Sequence, residues 1–539
     1  MKRFFTVLVL AGVVAGFFLV LPSNSSMQLS GASPLGLDMS TYLLEDVQDS
    51  SQLIDSVEAL GVSSLKISIP WQEVELSAGL FNWSIRSQGN QIDLADLLHQ
   101  LDQKGIALTI ILDGFPAYLQ YENLSETSIV ENYLESWERY VQAVVAQFGD
   151  SVDSWQIGQV INMPMQLQDD AIAAAILSSP PTYAERLKIA SDIIKEADKS
   201  DLVILGGIRS DTGNCLNQPS AFLYSIYMLD AWDAFDVIGI DLDTYAIAPE
   251  GNSMYQTYDS AAGVCLTSAE EGFNLAEILA LVDGVNSQFG AKPIWITALA
   301  WQEDDLSAIA EERGTLPDVV RSDFLSRASV MLLGRHNVAN IYWTYTGDAE
   351  GDTSLGVFSL QVFKNLSASL QGFLSTVDVS DIYAGYYQYR LTTSSAVQIF
   401  VWRTTGGDQF LPFTLQNVAG YTLEAYALDA ESIKKGKGIE LNVGESGETA
   451  FMLNERPVLV KAIPSDLKER LSLYLQGLFT SASQSIKNST EDILETQKEK
   501  ASQQVEEWVD EQKDSLFEML KESLLEWLQE ALNLDQFLQ

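Results

Sequence analysis

The sequence predicts an α/β chain: a (β/α)8 TIM barrel over residues 34–376, a small β-sandwich over 377–464 and a C-terminal α-helical tail over 465–539. Three observations carry this. Short β-rich runs alternate with helical patterns in the first region. The pattern then changes to short alternating strands separated by glycine turns. Beyond Ser465 almost nothing but Gly477 interrupts helical spacing.

In the first region the runs read as strands are Leu35–Met39, Leu65–Ile69, Ala107–Leu112, Ser154–Ile157, Leu202–Gly206, Val237–Asp241, Pro293–Thr297 and Asn340–Trp343. The stretches between them hold helical periodicity, as in Leu94, Leu97, Leu98 and Leu101 before the stop at Gly105. Eight strand–helix units of this kind fit a (β/α)8 barrel with long loops. A doubly wound sheet satisfies the same periodicity.

The second region reads as strands at Tyr386–Leu391, Val397–Trp402, Tyr421–Leu428, Gly438–Val443 and Pro457–Ile463, with Gly406-Gly407, Gly436, Gly444 and Gly447 at the turns. In the tail, Ser489 and Asp492 form a capping-box pattern. Val505, Trp508, Val509, Leu516, Met519, Leu520, Trp527 and Ala531 then follow a 3.6-residue spacing, opposite an acidic face. A helical hairpin folded on the chain itself, a self-associating coiled coil and a helix that docks on a protein partner all fit this pattern.

The chain has 539 residues, 47% of them hydrophobic and 19% charged, and its formal net charge is −43. Such a field repels phosphate backbones, so nucleic acid is not an expected partner. His99 and His336 are the only histidines, and Cys215 and Cys265 the only cysteines. That leaves almost nothing for a zinc site or a serine-protease relay, and no metal or cofactor is expected. Residues 1–26 hold Lys2 and Arg3 ahead of an uncharged run from Phe4 to Leu21, the form of a signal peptide or an N-terminal membrane anchor. The expectation is an extracytoplasmic protein, secreted or tethered, that meets the membrane only through this segment if it stays uncleaved. In that compartment Cys215 and Cys265 could pair as a disulfide or remain separate thiols.

Several local patterns point further. After the second strand comes Pro70-Trp71-Gln72-Glu73-Val74-Glu75, then Gly79-Leu80-Phe81-Asn82-Trp83. The third strand ends Asp113-Gly114-Phe115-Pro116, the fourth runs into Trp155-Gln156-Ile157-Gly158, and the seventh is Lys292-Pro293-Ile294-Trp295-Ile296-Thr297. In order and spacing these resemble the retaining (β/α)8 glycoside hydrolases whose two catalytic glutamates end strands 4 and 7. The resemblance implies O-glycosyl hydrolysis, a carbohydrate ligand and an accessory β-domain after the barrel.

The chain departs from that pattern where the chemistry lies. The acid/base glutamate of the family falls on Val160, with Gln159 in place of its Asn neighbour. The nucleophile falls on Ala298, and the Arg that steadies it appears as Lys66. Retaining hydrolysis needs two carboxylates about 5–5.5 Å apart, and neither Val nor Ala supplies one. The leading reading is a pseudoenzyme that binds carbohydrate. The candidate sugar contacts are Trp71, Asp113, Gln159, Asn162, Tyr245, Trp301, Trp343 and Tyr345, while Trp155 and Trp295 read as core. Two alternatives stand beside it. One is an active hydrolase with relocated carboxylates, Asp243 and Glu303 being the foremost pair among strand-end acids that include Asp113, Asp241, Asp304, Asp348 and Glu350. The other is a structural or assembly subunit that docks through residues 465–539.

Overall fold

The computed structural model describes residues 33–466 except 41–49, 88–89, 117, 120, 122–123, 164–170, 211–218, 244–246, 252, 260–263, 274, 336, 346–355, 383, 405–408 and 429–437. The N-terminal segment 1–26 and the tail from 467 onward lie outside the described residues, as do Cys215, Tyr245, His336, Asp348 and Glu350.

Eight parallel strands close into a barrel: β1 (Leu35–Asp38), β2 (Ser64–Pro70), β3 (Ala107–Asp113), β4 (Ser154–Ile157), β5 (Leu202–Arg209), β6 (Val237–Asp243), β7 (Ile294–Ala300) and β8 (Val338–Thr344). Each pairs with its neighbours in sequence, and β1 joins β8 through Leu35↔Ile341 to Asp38↔Thr344, which decides for the barrel over the doubly wound sheet. All eight runs expected from the sequence are strands, and six of them extend further at the end where a barrel carries its site.

The helices form where the apolar spacing places them. In Leu94–Gln103, Leu94, Leu97, Leu98 and Leu101 are buried, Asp93 caps the start by accepting from the Ala95 and Asp96 amides, and Gly105 turns the chain out at a φ of 74°. The long helix Glu126–Phe148 buries Tyr133, Trp137, Tyr140 and Val141 against the barrel.

The barrel interior is filled rather than open. Tyr342 crosses it, and its hydroxyl lies 2.7 Å from Thr109 Oγ1, which lies 2.7 Å from Ser154 Oγ. Gly36 makes room for that ring, since a Cβ there would sit 2.5 Å from a Tyr342 ring carbon.

The second unit is a six-stranded antiparallel sheet faced by a two-stranded one. In the larger sheet the order is β9 (Phe373–Asp378), β10 (Tyr386–Thr393), β11 (Val397–Arg403), β16 (Val458–Pro464), β13 (Tyr421–Ala427) and β14 (Ile439–Leu441). The smaller pairs β12 (Leu411–Leu415) with β15 (Thr449–Leu453). Strand β9 straddles the 376/377 boundary read from the sequence. On β11, Ile399 and Val401 face the sandwich interior, whereas Phe400 and Trp402 belong to the barrel-side core. Both faces are therefore covered, which explains the unbroken apolar run Ile399–Trp402. Trp402 Nε1 donates to Glu250 Oε1 at 2.7 Å, and Arg313 pairs with Glu455 at 2.6 Å, so the accessory unit is clasped to the barrel.

At the opposite, N-terminal rim, Asp201 Oδ2 accepts from Trp155 Nε1 at 2.9 Å. Burial pushes its carboxyl up to about 6, with Asp198 and Asp153 adding to the rise and the Trp155 bond opposing it. The folded chain thus holds this proton more tightly than the unfolded one. Its contribution to stability is largest below about 4, falls as pH rises toward about 6, and stays as a cost above that. Asp201→Asn should flatten the pH dependence of the melting temperature between pH 4 and 7 and leave the protein at least as stable at pH 7. A variant that keeps the wild-type slope contradicts this assignment.

Candidate functional site

The mouth of the barrel is built around charges that answer one another. Lys66, on β2, has no solvent exposure. Its Nζ lies 3.0 Å from Asp38 Oδ2 on β1 and donates to the Thr297 carbonyl on β7 at 2.5 Å. The Thr297 hydroxyl in turn donates to Asp241 Oδ1 on β6 at 2.6 Å. Gly207 on β5 leaves space for that carboxylate, because a Cβ there would lie 2.1 Å from Asp241 Oδ2. Burial raises the Asp241 pKa, and the nearby Lys66 charge opposes the rise. Where the resemblance places an arginine that steadies a nucleophile, a shorter lysine holds a backbone carbonyl next to Ala298 instead.

A second cluster forms where β3, β4 and β5 end. Asp113 Oδ1 accepts from Arg186 Nη2 at 3.0 Å, and Asp113 Oδ2 accepts from the Gln159 amide at 3.0 Å. Arg186 comes from the helix Pro180–Ala197 and is 3% exposed, against 28% for Asp113. Its guanidinium lies 4.6 Å from the Trp137 ring centroid and 5.7 Å from those of Tyr133 and Tyr183, so stacking offsets part of its desolvation. The loop after β4 is pinned on every side. The Gly158 amide donates to the Leu112 carbonyl and the Ile161 amide to that of Gly207. Asn162 donates to the Arg209 carbonyl at 2.9 Å and accepts from the Arg209 amide at 2.8 Å. Within this loop Val160 takes a φ of 52°, in the left-handed region that β-branched residues rarely adopt. Between these groups lies a cavity of about 270 Å³, bordered by Asp113, Gln159, Val160, Arg186 and Arg209.

Of the residues singled out from the sequence, the structure brings Asp113, Gln159 and Val160 together at this cavity. Asn162 is buried beneath it and holds the Arg209 backbone. Ala298 is half-buried on β7, beside Asp241 in the β6–β7 pairing. The aromatic platform does not form as expected. Trp71 is buried, stacked on Tyr140 at 4.7 Å, and donates to Glu75 Oε2 at 2.6 Å. Trp301 is buried with Nε1 donating to the Ile247 carbonyl, Trp343 is buried with Nε1 donating to Ser329 Oγ, and Tyr345 is buried. Their rings fill the joints between strand ends and helices, a packing use that strand-end position cannot separate from ligand contact. Glu303 sits at the start of the helix Glu303–Arg313 and is held by Arg321 at 2.9 Å. Tyr245, Cys215 and the side chains of Asp243 and Cys265 lie outside the described residues.

Arg186 and Arg209 were not among those candidates. Arg186 did carry a signal: it is a charged residue on the buried face of its helix, between Tyr183 and Leu187. Arg209 closes a strand that the sequence reading ended at Gly206. Among the described residues, no group of three or more His, Cys, Asp or Glu is placed to hold a metal ion, and no helix is long and apolar enough to cross a membrane.

No protein-family model matches the chain, and no curated protein matches it. Solved structures do. A family 39 glycoside hydrolase from the gut symbiont Bacteroides cellulosilyticus WH2 superposes with a TM-score of 0.55 at 14% identity, over 80% of this chain and 81% of that one. A GH30 endoxylanase from Clostridium papyrosolvens C71 gives a TM-score of 0.50 at 13% identity, over 82% of this chain and 98% of the other. These likenesses show the fold alone, a TIM barrel followed by antiparallel sheets of β-sandwich type.

The buried lysine gives a direct test. Lys66→Met removes the cation between Asp38 and Asp241 and leaves uncompensated carboxylates in the barrel. It should lower unfolding stability by about 3–5 kcal/mol, read from urea titration at pH 7. A loss below about 1 kcal/mol would show that the network is not what holds these strand ends.

Proposed function

We propose that this chain is a glycoside-hydrolase-like protein that has lost hydrolysis and binds carbohydrate at the cavity beside Val160. The observation that carries the reading is the absence of a carboxylate at Val160 and Ala298, the two positions on which the motif resemblance places the glutamates. What surrounds those positions supports it. Asp113, the acid at the cavity, has Oδ1 engaged by Arg186 and Oδ2 by the Gln159 amide. Asp241, the acid beside Ala298, is buried, hydrogen-bonded to Thr297 and close to Lys66. Neither is presented as a free nucleophile with a proton donor opposite, which retaining hydrolysis requires.

Ligand pockets for small molecules run to about 300–1,000 Å³. A cavity of about 270 Å³ suits one sugar ring rather than a stretch of polysaccharide. The apolar side chains of Phe115, Val160 and Leu177 on its wall suit the C–H face of such a ring. The proposal places the protein outside the cytoplasm on the strength of Lys2, Arg3 and the apolar run behind them, and gives the acidic amphipathic tail the role of engaging a protein partner or a second copy.

Purified full-length protein, incubated with a panel of aryl glycosides and xylan-, glucan- and mannan-type polysaccharides, should release no product above the uncatalysed rate. The same preparation should bind at least one monosaccharide or oligosaccharide in calorimetry. Turnover that disappears in Asp243→Asn or Glu303→Gln would overturn the proposal in favour of relocated catalytic acids.

A further inference from the structure

We propose that the N-terminal rim of the barrel, at the end opposite the mouth, docks on a lipid bilayer surface without net charge through an aromatic patch around Tyr227. This rests on the tethered, extracytoplasmic reading of the chain and adds a second membrane contact to the N-terminal segment.

Two neighbouring helices build the patch. The helix Pro219–Met228 carries no charged side chain, whereas the helix Leu94–Gln103 turns Asp96 and His99 to solvent. Phe222, Leu223 and Ile226 bury one face of it. The other face presents Tyr224, Tyr227 and Met228, which are 48%, 39% and 63% exposed. Past the end of the next helix, Leu275–Asn286, the half-buried Phe289 completes the surface. Its ring stacks on Tyr227 at 3.5 Å between centroids and lies 6.0 Å from that of Tyr224. Trp232 meets both Tyr227 and Phe289 edge-on. A helix that is apolar on its outer face as well as its inner one marks a surface that something else covers.

Position and chemistry together choose the cover. The turn Trp232–Ala234 leads into β6 and Phe289 leads into β7, so the patch lies at the same rim where Ser33 and Pro34 lead into β1. Residues 22–32 separate that point from the apolar run Phe4–Leu21, and a link of that length reaches about 40 Å at most. A run held in a bilayer therefore keeps this rim close to the lipid surface, where a contact too weak to recruit a free protein still forms. Tyr and Trp suit the headgroup level, with a ring for the acyl boundary and a polar tip for water, and a lysine beside them lays down an apolar stem below its charged head. Lys292 Nζ lies 5.7 Å from the Trp232 ring centroid and 4.6 Å from that of Phe235, and Lys188 Nζ donates to the Leu229 carbonyl at 3.1 Å. Asp230 and Asp233 are exposed beside the patch, in a chain of net charge −43, which sets the surface against anionic lipid. With this rim on the bilayer, the mouth at the other end of the parallel strands faces away from it.

Photolabelling of the full chain, reconstituted in phosphatidylcholine vesicles that contain a phosphatidylcholine with a diazirine near its headgroup, separates the possibilities once labelled peptides are mapped by mass spectrometry. Adducts should fall within 4–21, 224–232 and 286–292, and not on the loops of the mouth. Met228→Asp should lower labelling at the rim about tenfold or more, the equivalent of one buried Met side chain, with labelling of 4–21 and the melting temperature unchanged. Adding phosphatidylserine to the vesicles should lower rim labelling of the unaltered chain as well. Adducts confined to 4–21 overturn this inference and leave the tether intact. Adducts at the rim alone uphold the docking surface and overturn the tether, and adducts at neither overturn both. A dimer in light scattering that Met228→Asp disrupts, with no lipid adduct at the rim, assigns the patch to a second copy and overturns the inference.

Discussion

A lysine ammonium sealed from water sits between strands of the barrel and ties their ends together. Lys66 meets Asp38 on β1 and the Thr297 carbonyl on β7, and Thr297 passes the connection to Asp241 on β6. Burying an ion costs several kcal/mol unless partners replace its hydration. The small residues around it follow from that requirement. Gly207 gives the Asp241 carboxylate its space, and Gly36 lets Tyr342 cross the interior below. Strand closure, side-chain volume and charge are therefore one problem with one solution at this end of the barrel.

The same economy applies at the second cluster. A carboxylate serves as a catalytic group only if it can meet substrate and change its bonding or protonation during reaction. Asp113 is bound by a stacked, nearly inaccessible arginine and by a backbone amide. Asp241 is bound by a hydroxyl and faces an ammonium. Among the described residues, Asp113 and Asp241 at the candidate site each lie against a cation and a hydrogen-bond donor. The loop between them is fixed by backbone bonds at Gly158, Ile161 and Asn162, firmly enough to keep Val160 in a left-handed conformation that costs about 1–3 kcal/mol. Such a loop suits a rigid binding wall.

The barrel was legible in the sequence because its signal is local. Runs such as Ala107–Leu112 and the Leu94, Leu97, Leu98 and Leu101 stripe register burial directly, and strand and helix form where they predict. At the site, strand-end position was enough to place Asp113 and Gln159 at the cavity. Trp71, Trp301 and Trp343 are buried instead, because a large ring at a strand end can point toward a ligand or into the helix layer, and no local pattern separates the two. Arg186 lies 73 residues from Asp113, and only the closed barrel brings them together. Arg209 depended on how far β5 runs, and strand ends are poorly marked where no turn residue follows.

We propose that hydrolysis has been lost, so that no acid at the barrel mouth forms a bond to a sugar. Intact-protein mass spectrometry after incubation with activated 2-deoxy-2-fluoro glycosides tests it most directly, because such reagents trap the glycosyl–enzyme intermediate of retaining hydrolysis. The account predicts an unchanged mass across gluco-, xylo- and manno-configured reagents. A stoichiometric adduct that maps to any aspartate or glutamate at the barrel mouth would contradict it.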